Sequence, residues 1–114
     1  LVGSEMCIRN RDTICDGFHL YGTGDPLDYG LVGCYCAQYN TPETARIMWE
    51  MITSRSARVF DPDAKYGITV GNDADLNIIE APNVHDAIRI RASRPYVIRH
   101  GKVIASFKRE ATLL

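Results

Sequence analysis

YGITVGNDADLNIIEA, residues 66–81, is where this 114-residue chain changes from helical to alternating periodicity, and its reading decides the fold. The spacing predicts a short strand from Tyr66, a Gly71-Asn72-Asp73 turn and a β-rich run from Leu76 to Glu80. Downstream, Pro82-Asn83 leads into a short helix over residues 84–92, with Val84, Ala87, Ile88 and Arg91 on one side. Residues 94–107, RPYVIRHGKVIASF, read as a hairpin, because Gly101 after His100 accepts the positive φ of a tight turn.

Upstream the period is 3.6. Asp25-Pro26 is a helix-start signal: an aspartate cap accepts from free amides, and proline at the first position gives up no bonded N–H. Leu27, Leu31, Cys34 and Tyr35 then recur at helical spacing. Gly30 and Gly33 weaken that helix while permitting close backbone packing. Thr41-Pro42-Glu43 repeats the signal and opens a helix whose shared face is Ala45, Met48, Met51, Ile52 and Arg55, ended by Asp61-Pro62-Asp63. Met48, Trp49 and Met51 read as core. Residues 12–24, DTICDGFHLYGTG, carry three glycines among aspartates and aromatics, a loop leaving a strand and the kind of place where function sits.

Residues 1–9, LVGSEMCIR, stand apart. They resemble the translation of a transposase-type sequencing-library adapter, with Asn10 one base from the expected Asp and Arg11 spanning the junction. The expectation is that residues 1–11 are a scar to be set aside and that the native chain, from Asp12, is the tail of a longer protein.

The bulk numbers bound the rest. A chain of this length is one small domain or part of a larger one. It is 46% hydrophobic and 24% charged, with net charge −1, and carries no basic cluster. Nucleic acid is therefore not an expected partner. No apolar run reaches the roughly 20 residues that span a bilayer, so no membrane role is expected either. Outside residues 1–11 the cysteines are Cys15, Cys34 and Cys36, without Cys-x-x-Cys spacing. Neither a disulfide framework nor a zinc knuckle follows, and reduced core or pocket thiols in a cytoplasmic protein are expected.

No P-loop, dinucleotide fingerprint or nucleophile elbow is present. His85 and His100 fall on a helix and at a turn, where solvated roles are expected, and His19 lies in the glycine-rich loop beside Asp12 and Asp16. No two histidines have metal-ligand spacing.

Asp12-Thr13, Asp16-Gly17-Phe18 and Gly22-x-Gly24-Asp25-x-Leu27 together resemble the end of the barrel in cytosine-deaminase-like members of the amidohydrolase superfamily. Three further stretches follow that family in order. They are the helix 51–60, the strand pair Tyr66 to Ile79 with its Tyr-Gly-Ile and Ala-Asp-Leu, and the helix and hairpin Asp86 to Ile104. The last two are shared across the superfamily, whereas the 12–27 loop points to the deaminase branch.

The resemblance implies an α/β chain: the C-terminal fragment of a (β/α)₈ TIM barrel plus part of its composite β-sandwich. Residues 12–60 would be the strand-8 loop and terminal helices of the barrel. Residues 61–114 would be a sandwich portion with an inserted helix. It further implies one divalent metal ion, zinc or iron, held by a His-x-His and two more histidines from earlier strands and by an aspartate from the last. Asp12 matches that aspartate, as metal ligand and catalytic carboxylate; a surface carboxylate or helix cap is the plainer alternative. Phe18 matches a substrate-side aromatic position, though it could equally be a core contact; Thr13 is a second substrate-side candidate, and Asp16 matches a loop-bracing aspartate. The implied reaction is hydrolytic deamination of a small-molecule cyclic amidine or pyrimidine, releasing ammonia. Another ring, such as an aminotriazine or cyclic amide, is the alternative, since Thr13, Pro26 and Leu20-Tyr21 depart from the family pattern. With one candidate ligand, the chain alone is expected to be inactive, a structural remnant. A stand-alone β-rich module over 66–107 fits less well, because the match continues upstream, and homo-oligomerisation is left open.

Overall fold

The computed structural model describes residues 22–63 and 65–108. The first helix, α1 (Pro26–Cys36), begins as its sequence dictates: extended Asp25 accepts from the Leu27 amide at 2.9 Å and Pro26 occupies the first turn. It ends where Gln38 enters a left-handed conformation, φ 54°, and the Tyr39 amide donates back to the Cys34 carbonyl at 2.8 Å. Leu27, Gly30 and Gly33 are its buried residues, with Leu31 and Cys34 packed at the margin. Tyr35, expected on that face, is 75% exposed. The two glycines draw the contact face toward their own side of the helix, which rotates Tyr35 outward.

Helix α2 (Pro42–Ile52) opens on a reciprocal cap between Thr41 and Thr44, whose side chains each accept from the other's amide. Ala45, Met48, Met51 and Ile52 are buried, at the i, i+3, i+6 and i+7 positions of one stripe. The expected single helix to Asp61 is in fact two, since Thr53 leaves helical geometry (φ −123°, ψ −97°) and α3 (Ser54–Phe60) restarts after it. Local side chains explain the break. The Thr53 hydroxyl donates to the Trp49 carbonyl at 2.6 Å and the buried Ser56 hydroxyl to the Met51 carbonyl at 2.5 Å. Both compete with the backbone ladder. Arg55, beyond the break, lies off the apolar face and pairs with Glu50 at 3.2 Å.

The strand expected from Tyr66 does not form. Residues 66–70 are bends and turn, with Ile68 and Val70 fully open to solvent. A strand exists only with a ladder partner, and among the described residues none lies beside this segment. Its polar groups close on themselves instead: the Thr69 amide donates to the Gly67 carbonyl, and the Asn72 side chain donates to that same carbonyl.

Three strands make one antiparallel sheet in the order β1 (Leu76–Ile78), β2 (Tyr96–Arg99), β3 (Lys102–Ser106). β1 is shorter than the expected run to Glu80, whose amide goes to the Ser93 carbonyl at 3.0 Å. The β2–β3 hairpin forms as read: His100 (φ 47°) and Gly101 (φ 72°) are both left-handed, the pattern whose twist matches paired strands.

Between β1 and β2 lies α4 (Val84–Arg89), capped by Asn83, which accepts from the Asp86 amide at 2.8 Å. It stops earlier than expected. Arg91 takes a left-handed φ of 49° beyond the helix end, and its half-exposed side chain pairs with Asp28 of α1 at 3.5 Å. Leu27, Met48, Met51, Ile52 and Ile88 form the core, so α1, α2 and α4 meet in one cluster with Met48 wholly enclosed. Close approach at Gly30 makes this possible, because a Cβ there would stand 3.0 Å from Ile52 Cδ1.

Candidate functional site

Asp12, Thr13 and Phe18, with Asp16 and His19, lie outside the described residues. What the structure places is the exit of their segment, Gly22 to Asp25, and what holds it. Gly24 turns the chain with φ 72° and delivers Asp25 to the start of α1.

Asp25 does two jobs. One carboxylate oxygen accepts from the Leu27 amide and also from Arg94 Nη1 at 2.7 Å. The other accepts from Arg94 Nη2, completing a two-pronged pair across 69 residues of sequence. The side chains are only 29% (Arg94) and 19% (Asp25) exposed, so water competes weakly. Burial by itself raises the Asp25 carboxyl pKa. The Arg94 hydrogen bonds, the Leu27 amide and the charges of Arg94 and Arg91 outweigh that and hold it below the ordinary aspartate range. Arg94 is correspondingly raised, chiefly by its hydrogen bonds to Asp25.

A second, looser connection runs beside it. The Asp25 amide donates to Thr23 Oγ1 at 3.2 Å, and that hydroxyl donates to Asp28, which meets Arg91 Nη1 at 3.5 Å. Residues 23–28 are thereby tied at two points to residues 91–94. From its local sequence Asp25 reads only as a cap. Arg94 reads only as the first residue of the hairpin stretch, and nothing local signals a partner so far away.

The other titratable groups behave as surface or packing residues. His85 and His100 keep side-chain exposures of 47% and 67%, in line with solvated roles. The His100 amide donates to Asp75 at 2.7 Å, which steadies the hairpin turn. Cys34 and Cys36 are free thiols, and partial burial raises Cys34, the opposite of an activated nucleophile.

Two of the hollows on the described surface flank the helices. One, of about 380 Å³, lies between the helices and the 66–79 segment, walled by Leu27, Trp49, Ile52, Tyr66, Leu76 and Arg94. The other, of about 470 Å³, lies between α1 and α4 beside Cys34, Tyr39 and His85. Among the described residues no three His, Cys, Asp or Glu side chains converge as a metal site. No described helix is long and apolar enough to cross a membrane.

No family model matches the chain. A curated relative, N-isopropylammelide isopropyl amidohydrolase of Pseudomonas sp. (strain ADP), is 34% identical over 93 residues, which is 82% of this chain and 23% of the relative. Among solved structures, 5-methylcytosine deaminase from Klebsiella pneumoniae, liganded with 5-fluorocytosine, superposes with a TM-score of 0.81 at 29% identity. That match covers 91% of this chain and 25% of the deaminase. N-isopropylammelide isopropylaminohydrolase from Burkholderia multivorans matches with a TM-score of 0.74 at 26% identity, over 80% of this chain and 23% of that protein. The chain therefore spans about a quarter of the length of the relatives it matches.

Proposed function

This chain is a homologue, over one stretch, of amidohydrolase-superfamily enzymes that hydrolyse carbon–nitrogen bonds, and from that premise we propose that it belongs to an enzyme of the same chemistry. The substrate would be a small nitrogen-containing ring, and the reaction hydrolytic removal of an amino substituent as ammonia, in the manner of a cytosine deaminase. The observation that carries this reading is the agreement in both sequence and backbone with such enzymes, 91% of the chain superposing at a TM-score of 0.81.

A second reading shares the chemistry and changes the leaving group. The curated relative at 34% identity is named for N-isopropylammelide, which favours an alkylamino substituent on an aminotriazine-type ring. Pro26, in place of the family's usual Met, also marks a departure from the cytosine branch.

In this reading residues 12–60 belong to the end of a barrel and 61–114 to a β-sandwich portion. The superfamily generally uses a divalent metal, zinc or iron here, and Asp12 would be one of its ligands, the others lying outside the described residues. Such an ion supplies water acidified toward neutrality. Asp12 itself takes a proton from the attacking water and returns it to the departing amine, so it serves as catalytic carboxylate as well as ligand. Phe18 and Thr13 would be the substrate-side residues of this chain.

The test is amine release by the full-length protein from cytosine, 5-methylcytosine and N-isopropylammelide, with ammonia and isopropylamine measured separately. Release from at least one ring is expected, and the identity of the amine separates the two readings. Release from none would overturn both.

A further inference from the structure

Helix α1, PLDYGLVGCYC, has no charged side of its own. Its one charged residue, Asp28, is already engaged by Thr23 and Arg91. At about 100° per residue, Leu27, Gly30, Leu31, Gly33 and Cys34 fall on the half of the helix that meets α2 and α4. Val32, Tyr35 and Cys36 fall on the other half. There Val32 is 59% and Tyr35 75% exposed, and Cys36 is an exposed thiol.

Helix α2 of the same chain makes the contrast. Opposite its buried stripe it carries Glu43, Arg46 and Glu50, with Arg46 and Glu50 paired one turn apart. A helix with one apolar stripe and one charged side belongs at a surface, whereas a helix apolar all round belongs inside.

We propose that the Val32, Tyr35 and Cys36 side of α1 is an interior docking surface, covered by an uncharged, aliphatic-rich layer of the same parent polypeptide. The proposal rests on the chain belonging to a longer enzyme of this superfamily, and not on which amine that enzyme releases. The chain spans about a quarter of the length of its relatives, so about three quarters of such a polypeptide remains to supply the layer. With Asp28 already paired, this side offers no spare charge to a charged partner, and an ion buried against it would go uncompensated. Tyr35 sets one further condition: its hydroxyl, once covered, takes a hydrogen-bond partner from the layer. A second copy of the chain fits less well. Three side chains are few against the roughly 20–30 residues per partner of a stable interface, while a layer of the same polypeptide bears no association cost.

The experiment labels thiols of the full-length protein with N-ethylmaleimide over time, and fragment mass spectrometry separates Cys36 from Cys34. Each native rate is compared with the rate in urea. Arg46→Cys supplies the reference, since Arg46 stands on the charged side of α2 with its side chain 80% exposed. Thermal midpoints of Val32→Gln and Arg46→Gln are measured alongside.

Cys36 should react at least about 100-fold more slowly in the native than in the unfolded protein, and the thiol introduced by Arg46→Cys within about tenfold. The protection should hold across a roughly hundredfold dilution, as a cover within one polypeptide requires. Glutamine is the better helix former, so on a solvated side Val32→Gln would leave the midpoint unchanged or raise it. Under a covering layer it should lower the midpoint by about 2–5 °C, with Arg46→Gln within about 1 °C of wild type.

Labelling of Cys36 as fast as the Arg46→Cys reference would overturn the proposal. So would protection that vanishes on dilution, which would assign the cover to a second copy, or equal protection in the 114-residue chain alone, which would assign it to the chain's own residues. An unchanged or raised midpoint in Val32→Gln would overturn it as well. Protection of Cys36 in a protein that releases no amine would support the docking surface while refuting the proposed reaction.

Discussion

Gly30→Ala, taken with Ile52→Val, tests whether α1 and α2 meet as closely as the packing requires. Alanine in a helix interior is favoured over glycine by about 0.8–1.0 kcal/mol. Against this, the new Cβ would stand 3.0 Å from Ile52 Cδ1, well inside ordinary contact, while Ile52 Cγ2 at 3.7 Å and Ile88 Cγ2 at 3.8 Å would be undisturbed. Only the far end of one side chain must retreat. Because Ile52 is 8% exposed, that retreat means an off-rotamer side chain in the core, at about 0.5–1.5 kcal/mol. The two effects nearly cancel, and Gly30→Ala alone should change stability by less than about 1 kcal/mol. Ile52→Val alone deletes the crowding methyl and should cost about 0.5–1.5 kcal/mol. In the double variant the methyl introduced by Gly30→Ala occupies the vacated space, so the full helix preference is recovered and the void partly filled. A favourable coupling of roughly 1–2 kcal/mol follows. Urea unfolding followed by the single tryptophan, Trp49, at the edge of this core, reads all four corners of the cycle. Additivity within about 0.3–0.5 kcal/mol would refute the close approach.

Met48→Ala should destabilise by about 2–5 kcal/mol and Met48→Leu by less than about 1.5 kcal/mol in the same urea assay, since Met48 is wholly enclosed where three helices meet. The Asp25 carboxyl is held below its unfolded value, so its stabilisation is complete above the unfolded pKa and lost as pH falls through the lower folded one. The stability gap between wild type and Asp25→Asn should accordingly close between about pH 5 and pH 2; a gap independent of pH would show that the charge is not what matters. His100→Asn should stabilise the hairpin by a few tenths of a kcal/mol, roughly, because Asn tolerates the left-handed φ of 47° better and the backbone donor to Asp75 is kept. Thermal unfolding reads this, and a lowered midpoint would count against it.

What could be read locally from the residues is what formed. The caps at Asp25, Thr41 and Asn83 each lie within three residues of the amide they satisfy, and the His100-Gly101 turn needs only its own two dihedrals. The α2 stripe was legible because its 3.6 period is unbroken through Ile52. Failures fall where a distant or competing group decides. Residues 66–70 have strand-like composition and no ladder partner among the described residues. Thr53 and Ser56 look helical by pattern and instead take carbonyls from the backbone. Tyr35 and Arg91 were placed by spacing alone, before the glycine-led contact face and the early end of α4 could be known. The Asp25–Arg94 pair spans 69 residues, and no periodicity links its members. The residues that suggested the chemistry, Asp12, Thr13 and Phe18, were legible only through family resemblance, and they stand outside the described part.

Amine release by the full-length protein, wild type against Asp12→Asn, tests the central claim most directly. Wild type should release measurable ammonia or isopropylamine, and Asp12→Asn should release about 10²–10⁴-fold less, the range expected when a positioned proton-transferring carboxylate is lost. Equal release by the two proteins would contradict the assignment of Asp12, and no release by wild type from any of the three rings would contradict the proposed function itself.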